Sequence, residues 1–344
     1  MNTSLMKRVT WIDNVKFICI FFVMVSHLEC TPRIFRLFFD PFFLTAFFFV
    51  SGYVYKDCSS FKELIKKKSK ALLVPWFWFG LFNIVTSQII SFNEHLSLKK
   101  EIALNLLQIR GYGDKMWFIA ALFMAHIPFY FLVKYCDKNK RLFITIFMYV
   151  ISFVYSFFVD GNLFPWGTNK LPWHLEYIFI VNFYMVLGYE YKNLDENTLK
   201  TFDQKRNNII ISCIYIVLVL INYIGGFTIS DEFIASTFMT IILQICGVFV
   251  CIAVGKVIPN NKCVSYIGMN TLIYYGLHGK VESIIEVVLK KIGLYEILCM
   301  NTIAGILGGI VIVFCIMAIL LPLVWIINKY FPFVIGKKRR IKKS

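Results

Sequence analysis

Long runs of apolar residues with almost no charge constrain this chain more than any other feature of its sequence. Six or more of them approach 18 residues, the length that an α-helix needs to cross about 30 Å of hydrocarbon. Only 16% of the residues are charged, whereas an ordinary soluble domain is about a quarter charged. A β-barrel would show short segments of alternating polarity instead. The sequence therefore excludes a soluble globular enzyme and predicts an all-α integral membrane protein.

The apolar runs predict about ten transmembrane helices within a single multi-span domain over residues 1–344. The sixth and ninth are short or polar. We place the spans near 16–30, 38–55, 72–91, 116–133, 142–159, 175–189, 208–226, 233–254, 264–280 and 301–327.

The basic residues orient the chain in the membrane. With a cytoplasmic N-terminus, the inner segments hold 26 of the 36 Lys and Arg residues, as the positive-inside rule expects. Both termini are therefore predicted to be cytoplasmic. The basic tail 328–344 directly follows a span, so we expect it to meet anionic lipid headgroups and not nucleic acid.

The first span carries a cation and a histidine on one helical face. Lys16 and His27 are 11 residues apart, close to three full turns and about 16 Å along a helix. Ionisable groups at membrane depth are costly, so His27, expected near mid-membrane, is a candidate functional residue. The alternative is that Lys16 extends to lipid phosphates while His27 bonds a neighbouring helix.

Other polar positions allow both a structural and a functional interpretation. Asn270, Tyr274 and His278 share one face of the ninth span and predict a wet cavity. The pair Ser51-Gly52 would let another backbone approach closely. His174 and Glu176 follow a tryptophan where the sixth span begins, and we expect both to be solvated at the outer interface.

The inner loop over residues 62–70 contains five lysines. They are either determinants of topology or ligands for a phosphorylated cytosolic molecule, since lysine is a good point charge for phosphate. Spacing alone does not choose between the two.

Taken in order along the chain, these residues resemble the bacterial membrane-bound acyltransferase-3 family. The family usually has arginine at the position of Lys16. Five elements carry the resemblance between this chain and the family, in the same order along both. They are Arg8, Ile12-Asp13, Lys16 and His27; Phe48 to Tyr53; Lys66 to Trp76; Trp117 to Phe123; and Gly268, Asn270, Tyr275 and His278. No glutamate follows Trp117 in the fourth-span element, a departure that suggests the sugar O-acetylase subgroup.

The resemblance implies acyl transfer, most commonly of acetyl from acetyl-CoA, to a hydroxyl of a cell-envelope sugar or polysaccharide precursor. It makes His27 the general base or a transient acyl carrier. Acyl-CoA would be a co-substrate, with no resident cofactor and no metal, and the other partners would be membrane lipids and the sugar acceptor. The implied CoA-binding residues are Lys16, Lys66, Lys67, Lys68 and Lys70, and the orienting residues are Asp13, Ser51, Trp117, Asn270, Tyr275 and His278.

The implied location is the bacterial inner membrane. The alternative function is a transporter or flippase of a small envelope precursor. That class is expected to show two related halves with broken helices, and the sequence shows no such internal symmetry.

Overall fold

The computed structural model describes residues 9–90, 97–111, 116–229, 233–259 and 261–337. Within these ranges the chain forms sixteen α-helices and no β-strand. Arg8 and the end of the predicted basic tail, 338–344, lie outside the described residues. The prediction of an all-α integral membrane protein is confirmed.

The helices are numbered in chain order. They are α1 Thr10–His27, α2 Arg33–Phe39, α3 Phe43–Tyr53, α4 Phe61–Lys68, α5 Val74–Ile90, α6 Leu98–Leu107, α7 Trp117–Tyr135, α8 Lys138–Phe158, α9 Ile178–Lys192, α10 Glu196–Asp203, α11 Lys205–Gly225, α12 Phe233–Val257, α13 Lys262–Met269, α14 Thr271–Lys291, α15 Leu294–Met300 and α16 Thr302–Tyr330.

Eight helical segments of the described chain are long and apolar enough to cross a membrane. They coincide with eight of the ten predicted spans: Thr10–His27, Arg33–Tyr53, Phe61–Ile89, Trp117–Tyr135, Lys138–Phe158, Lys205–Gly225, Phe233–Val257 and Thr302–Tyr330. The chain is therefore a multi-pass membrane protein.

The other two predicted spans are helical but differ from a simple spanning helix. Helix α9 has 15 residues, or about 22 Å at 1.5 Å per residue, and most of them are buried. The ninth span is divided between α13 and α14, and the break falls at Asn270. The count of ten spans and the orientation of the termini stay predictions.

The chain forms two compact units. The first comprises 1–50 and 194–319, and the second comprises 51–193 and 320–344. The single membrane domain stays a prediction.

In the first unit, α1 packs against α12, α13 and α14. The buried Asn14 side chain donates to the carbonyl oxygens of Gly255 and Ile258 at 2.9 and 3.0 Å. A Cβ atom added to Gly268 would overlap the carbonyl oxygen of Asp13. Small residues of this kind let helix backbones approach closely where no water drives association. The two contacts fix the N-terminal half of α1.

In the second unit, α9 packs between α7 and α8. The buried Asn182 amide donates to the carbonyl oxygen of Ala125 on α7 at 3.2 Å. On the other side, Arg141 of α8 pairs with Glu190 at 3.2 Å, and both side chains are largely buried. Because protein surrounds α9 on both faces, it needs neither the length nor the uniform apolarity of a lipid-facing span.

Candidate active site

The first unit brings two predicted site residues, His27 and His278, together. His27 is the last residue of α1, His278 lies on α14, and their ring centroids are 5.2 Å apart. His278 is buried, and its Nδ1 lies 3.1 and 2.9 Å from the carbonyl oxygens of Tyr274 and Tyr275. Because a carbonyl oxygen only accepts, Nδ1 carries the hydrogen and Nε2 is the acceptor of the neutral ring.

The two histidines differ in exposure. His27 ends α1 and its side chain is exposed, and its position near mid-membrane stays a prediction. His278 is 6% exposed. The pair therefore offers an accessible imidazole backed by a buried one, an arrangement that suits proton transfer to or from a bound hydroxyl.

Three other predicted residues lie along α1 and α14. Asn270, which precedes α14, is buried and donates from its side chain to the carbonyl oxygen of Tyr266 at 2.8 Å. The Tyr275 ring is half-buried, with its centroid 6.2 Å from that of His278. Asp13 is buried near the start of α1, where the backbone of Gly268 contacts it. The wet cavity predicted on this face stays a prediction.

Lys16 and His27 lie on one continuous helix, so the predicted shared face is confirmed. Lys16 is half-buried near the start of α1 and His27 ends it. The two positions are thus about 16 Å apart along the axis.

Beyond the histidine pair, the first unit gathers three glutamates that the sequence interpretation did not identify. Tyr295 of α15 donates to Glu29 Oε2 at 2.9 Å, and Lys290 pairs with Glu286 Oε1 at 3.1 Å. Burial, with the negative charges of Glu286 and Glu29, raises the pKa of Glu282 to about 8. Burial works against ionisation of Glu286 too, but hydrogen bonds from Tyr295 and Lys290 outweigh it and lower the pKa of Glu286.

The signal for these carboxylates was present in the sequence. Glu282 and Glu286 continue the four-residue spacing of Asn270, Tyr274 and His278. The predicted polar face followed this spacing only as far as His278, whereas α14 continues to Lys291.

In the second unit, the predicted CoA-binding lysines occupy α4 and the π-helix Ser69–Leu73 that follows it. Lys66, Lys67 and Lys70 are exposed, and Lys67 pairs with Glu63 at 2.6 Å. Lys68 is half-buried, with Nζ 5.5 Å from the centroid of the Tyr55 ring. Of these four residues, Lys68 is therefore the one that turns toward the protein interior.

Trp117 begins α7 in the same unit, packed between other side chains. Arg110 Cζ lies 4.8 Å from its ring centroid, and the ring of His174 also lies 4.8 Å away. His174 Nδ1 is 3.3 Å from Glu176 Oε1. The expectation of a solvated His174 and Glu176 is wrong, because both are buried.

A local backbone conformation explains this burial. Trp173 and His174 both have positive φ, 57° and 53°, which is costly for residues other than glycine. This turn places the His174 ring against that of Trp117. The sequence does not indicate the turn, since neither Trp173 nor His174 favours a positive φ.

Ser51 is half-buried on α3, followed by buried Gly52. A Cβ atom on Gly52 would overlap the backbone carbonyl of Met185 on α9. This contact confirms the predicted close approach of another backbone at Ser51-Gly52.

These features define a multi-pass helical membrane protein with a paired-histidine site at the end of its first helix. The sequence model of a family described as Acyltransferase domain matches residues 9–329. The chain therefore belongs to the acyltransferase-3 family, and the protein is a membrane acyltransferase. Comparison with curated proteins and with solved structures gives no match.

Proposed function

We propose that the protein transfers an acyl group, most simply acetyl from acetyl-CoA, to a hydroxyl of a cell-envelope sugar or polysaccharide precursor. The observation that carries this proposal is the contact between His27 and His278 in a chain of this family. Neutral imidazole with an ordinary pKa near 6.5 suits general base catalysis at neutral pH.

In this proposal His27 takes the proton from the acceptor hydroxyl, whose oxygen attacks the thioester carbon. Formation of an acyl-histidine at His27 is the alternative route. The close contact with His278 supports the first route, because a second imidazole nearby offers the proton a further acceptor. Asp13, Asn270 and Tyr275 would orient these groups from the same unit.

Lysines supply the proposed contacts to the phosphates of acyl-CoA. Lys68 is the strongest candidate, since it is half-buried beside Tyr55. Lys66 and Lys70 are exposed and would attract the phosphates electrostatically, and Lys67 would do so less because Glu63 neutralises it.

The remaining assignments complete the proposal. Lys16 would contact acyl-CoA near the start of α1. Ser51 and Trp117 would contact or orient the sugar acceptor. The uneven distribution of Lys and Arg supports cytosolic termini, and a bacterial cytoplasmic membrane would give access to cytosolic acyl-CoA.

The test is acetyl transfer from labelled acetyl-CoA into envelope glycans, using membranes of a deletion strain that carry either wild type or His27→Ala. Wild type should incorporate label, and the variant should lose it by a factor of about 10²–10⁴, the range for a general base. Mass spectrometry of the glycans would identify the added group. Undiminished transfer by His27→Ala would exclude His27 as the base. Counterflow of a precursor without dependence on CoA would favour transport instead.

A further inference from the structure

The chain after α1 turns sharply and is bonded to the helix that it leaves. The Leu28 N–H donates to the carbonyl oxygen of Val25 at 3.3 Å, and the Thr31 hydroxyl donates to the same oxygen at 2.8 Å. The Thr31 N–H donates to the carbonyl oxygen of Leu28 at 3.1 Å. We call residues 28–31 the turn after α1. Because this turn begins directly after His27, its position sets the position of the end of α1.

Two other helices of the first unit lie against the backbone of the turn after α1. A Cβ atom added to Gly305 of α16 would lie 2.6 Å from the carbonyl oxygen of Cys30 and 2.8 Å from that of Leu298 on α15. Leu28, Cys30 and Thr31 are buried. The turn is therefore in close contact with both α15 and α16.

Glu29 is the exposed residue of the turn after α1, and it bonds the turn to α15. The Tyr295 hydroxyl donates to Glu29 Oε2 at 2.9 Å, and Tyr295 itself is buried, with 8% of its surface exposed. A hydrogen bond to a carboxylate is charge-assisted and roughly twice as strong as one between neutral groups. This bond therefore links the end of α1 firmly to a helix near the other end of the first unit's sequence.

Helix α14, which carries His278, supports the Tyr295 side chain. Helix α15 packs back against α14, and Lys290 Nζ lies 4.7 Å from the centroid of the Tyr295 ring. The same ammonium group pairs with Glu286 at 3.1 Å, and Glu286 also hydrogen-bonds Tyr295. The hydroxyl that reaches the turn after α1 is thus placed by the helix that carries the second histidine of the pair.

The proposed base lies at the end of a helix, where the backbone is held least. Terminal turns of helices fray, because their last carbonyl groups lack intrahelical partners. His27 is exposed, so the protein core does not enclose it. A general base has to lie within hydrogen-bond reach of the proton that it takes, and a misplacement of about 1 Å costs on the order of 10²-fold in rate. Contacts outside α1 are therefore needed to hold this residue.

We propose that Tyr295 is a positioning residue for acyl transfer. This inference rests on the proposed function. By holding Glu29, the Tyr295 hydroxyl fixes the turn after α1, and the turn holds the His27 ring in its position 5.2 Å from the ring of His278. In this role Tyr295 contacts neither acyl-CoA nor the acceptor and moves no proton. Its contribution is to the rate of the chemical step and not to the binding of acyl-CoA, whose proposed contacts are lysines.

The experiment measures kcat and KM for transfer from labelled acetyl-CoA to envelope glycolipid in proteoliposomes. Tyr295→Phe removes the hydroxyl and keeps the ring, so it should lower kcat about tenfold or more and change KM for acetyl-CoA less than about twofold. The matched control is Tyr223→Phe, which removes the same atom from an exposed tyrosine of α11 and should leave both constants at their wild-type values. An unchanged kcat in Tyr295→Phe would overturn the proposal.

Variants of Glu29 show whether the hydrogen bond itself is responsible. Glu29→Ala removes the acceptor and should lower kcat to the level of Tyr295→Phe, whereas Glu29→Gln keeps an oxygen that accepts from the hydroxyl and should retain most of the wild-type kcat. Because two residues that act through one bond are not additive, the double variant should lose no more than either Tyr295→Phe or Glu29→Ala alone. Additive losses, or equal losses in Glu29→Gln and Glu29→Ala, would contradict the proposal.

Hydrogen exchange followed by mass spectrometry tests the turn after α1 without an assay of transfer. Peptides that cover residues 25–31 should exchange faster in Tyr295→Phe than in wild type, while peptides of α12 should not change. Equal exchange in the two proteins would show that the hydroxyl does not fix the turn. If His27→Ala abolishes transfer and Tyr295→Phe does not lower it, the positioning role alone is wrong. Absence of transfer by wild type would overturn the proposed function and this inference together.

Discussion

Replacing Gly268 by alanine tests whether the close approach of α13 to α1 sets the active-site geometry. The added Cβ atom would overlap the carbonyl oxygen of Asp13, and neither backbone segment can yield without moving its helix. A shift of about 1 Å restores van der Waals distance. Overpacking of this kind costs roughly 1–3 kcal/mol. Because α13 leads directly into α14, the shift reaches His278, and a misplacement of about 1 Å costs on the order of 10²-fold in rate.

Two measurements on purified protein check this prediction, the thermal unfolding midpoint in detergent and the rate of acetyl transfer. The control is Gly279→Ala on α14, where an added Cβ meets no atom within 4 Å. That change should stabilise the helix by about 0.5–1 kcal/mol and leave transfer near wild type. If Gly268→Ala behaved like Gly279→Ala in both measurements, close backbone contact would not determine the position of His278.

Two further predictions concern the second unit. Lys68→Met should raise KM for acetyl-CoA roughly tenfold, the effect of losing one charge-assisted hydrogen bond. Lys67→Met should change KM less than about twofold, because Glu63 already pairs with that ammonium group. Equal effects of the two changes in steady-state kinetics would contradict the assignment. Gly52→Ala should lower the free energy of unfolding by roughly 1–3 kcal/mol, since its Cβ would overlap the Met185 carbonyl, and an unchanged unfolding midpoint would refute that contact.

The sequence predicted the lipid-facing helices well because hydrocarbon imposes a simple rule on them. A segment that meets lipid must be continuous and apolar over its whole length, and eight of the predicted spans coincide with such helices. Helix α9 and the broken pair α13 and α14 follow a different rule. They pack against other helices, so their polar residues and short lengths are accommodated by hydrogen bonds such as that of Asn182 with Ala125.

The candidate site was predictable only as far as helical periodicity reaches. The shared face of Lys16 and His27 follows from the spacing along one helix. The contact between His27 and His278 does not, because it depends on how α14 packs against α1. The burial of His174 was missed for another reason, since it depends on a left-handed turn that the residue type disfavours.

Close backbone contacts act beside buried hydrogen bonds in holding residues that are far apart in sequence in place here. Near the start of α1, Gly268 touches the backbone of Asp13; at its end, His27 meets His278. The first contact excludes any side chain at Gly268, so it sets the distance between the helices without requiring a hydrogen bond. The position of His278 beside His27 then follows from this backbone contact, because α13 leads directly into α14. This contact accounts for the glycine and the histidine occurring together in the last motif of the chain.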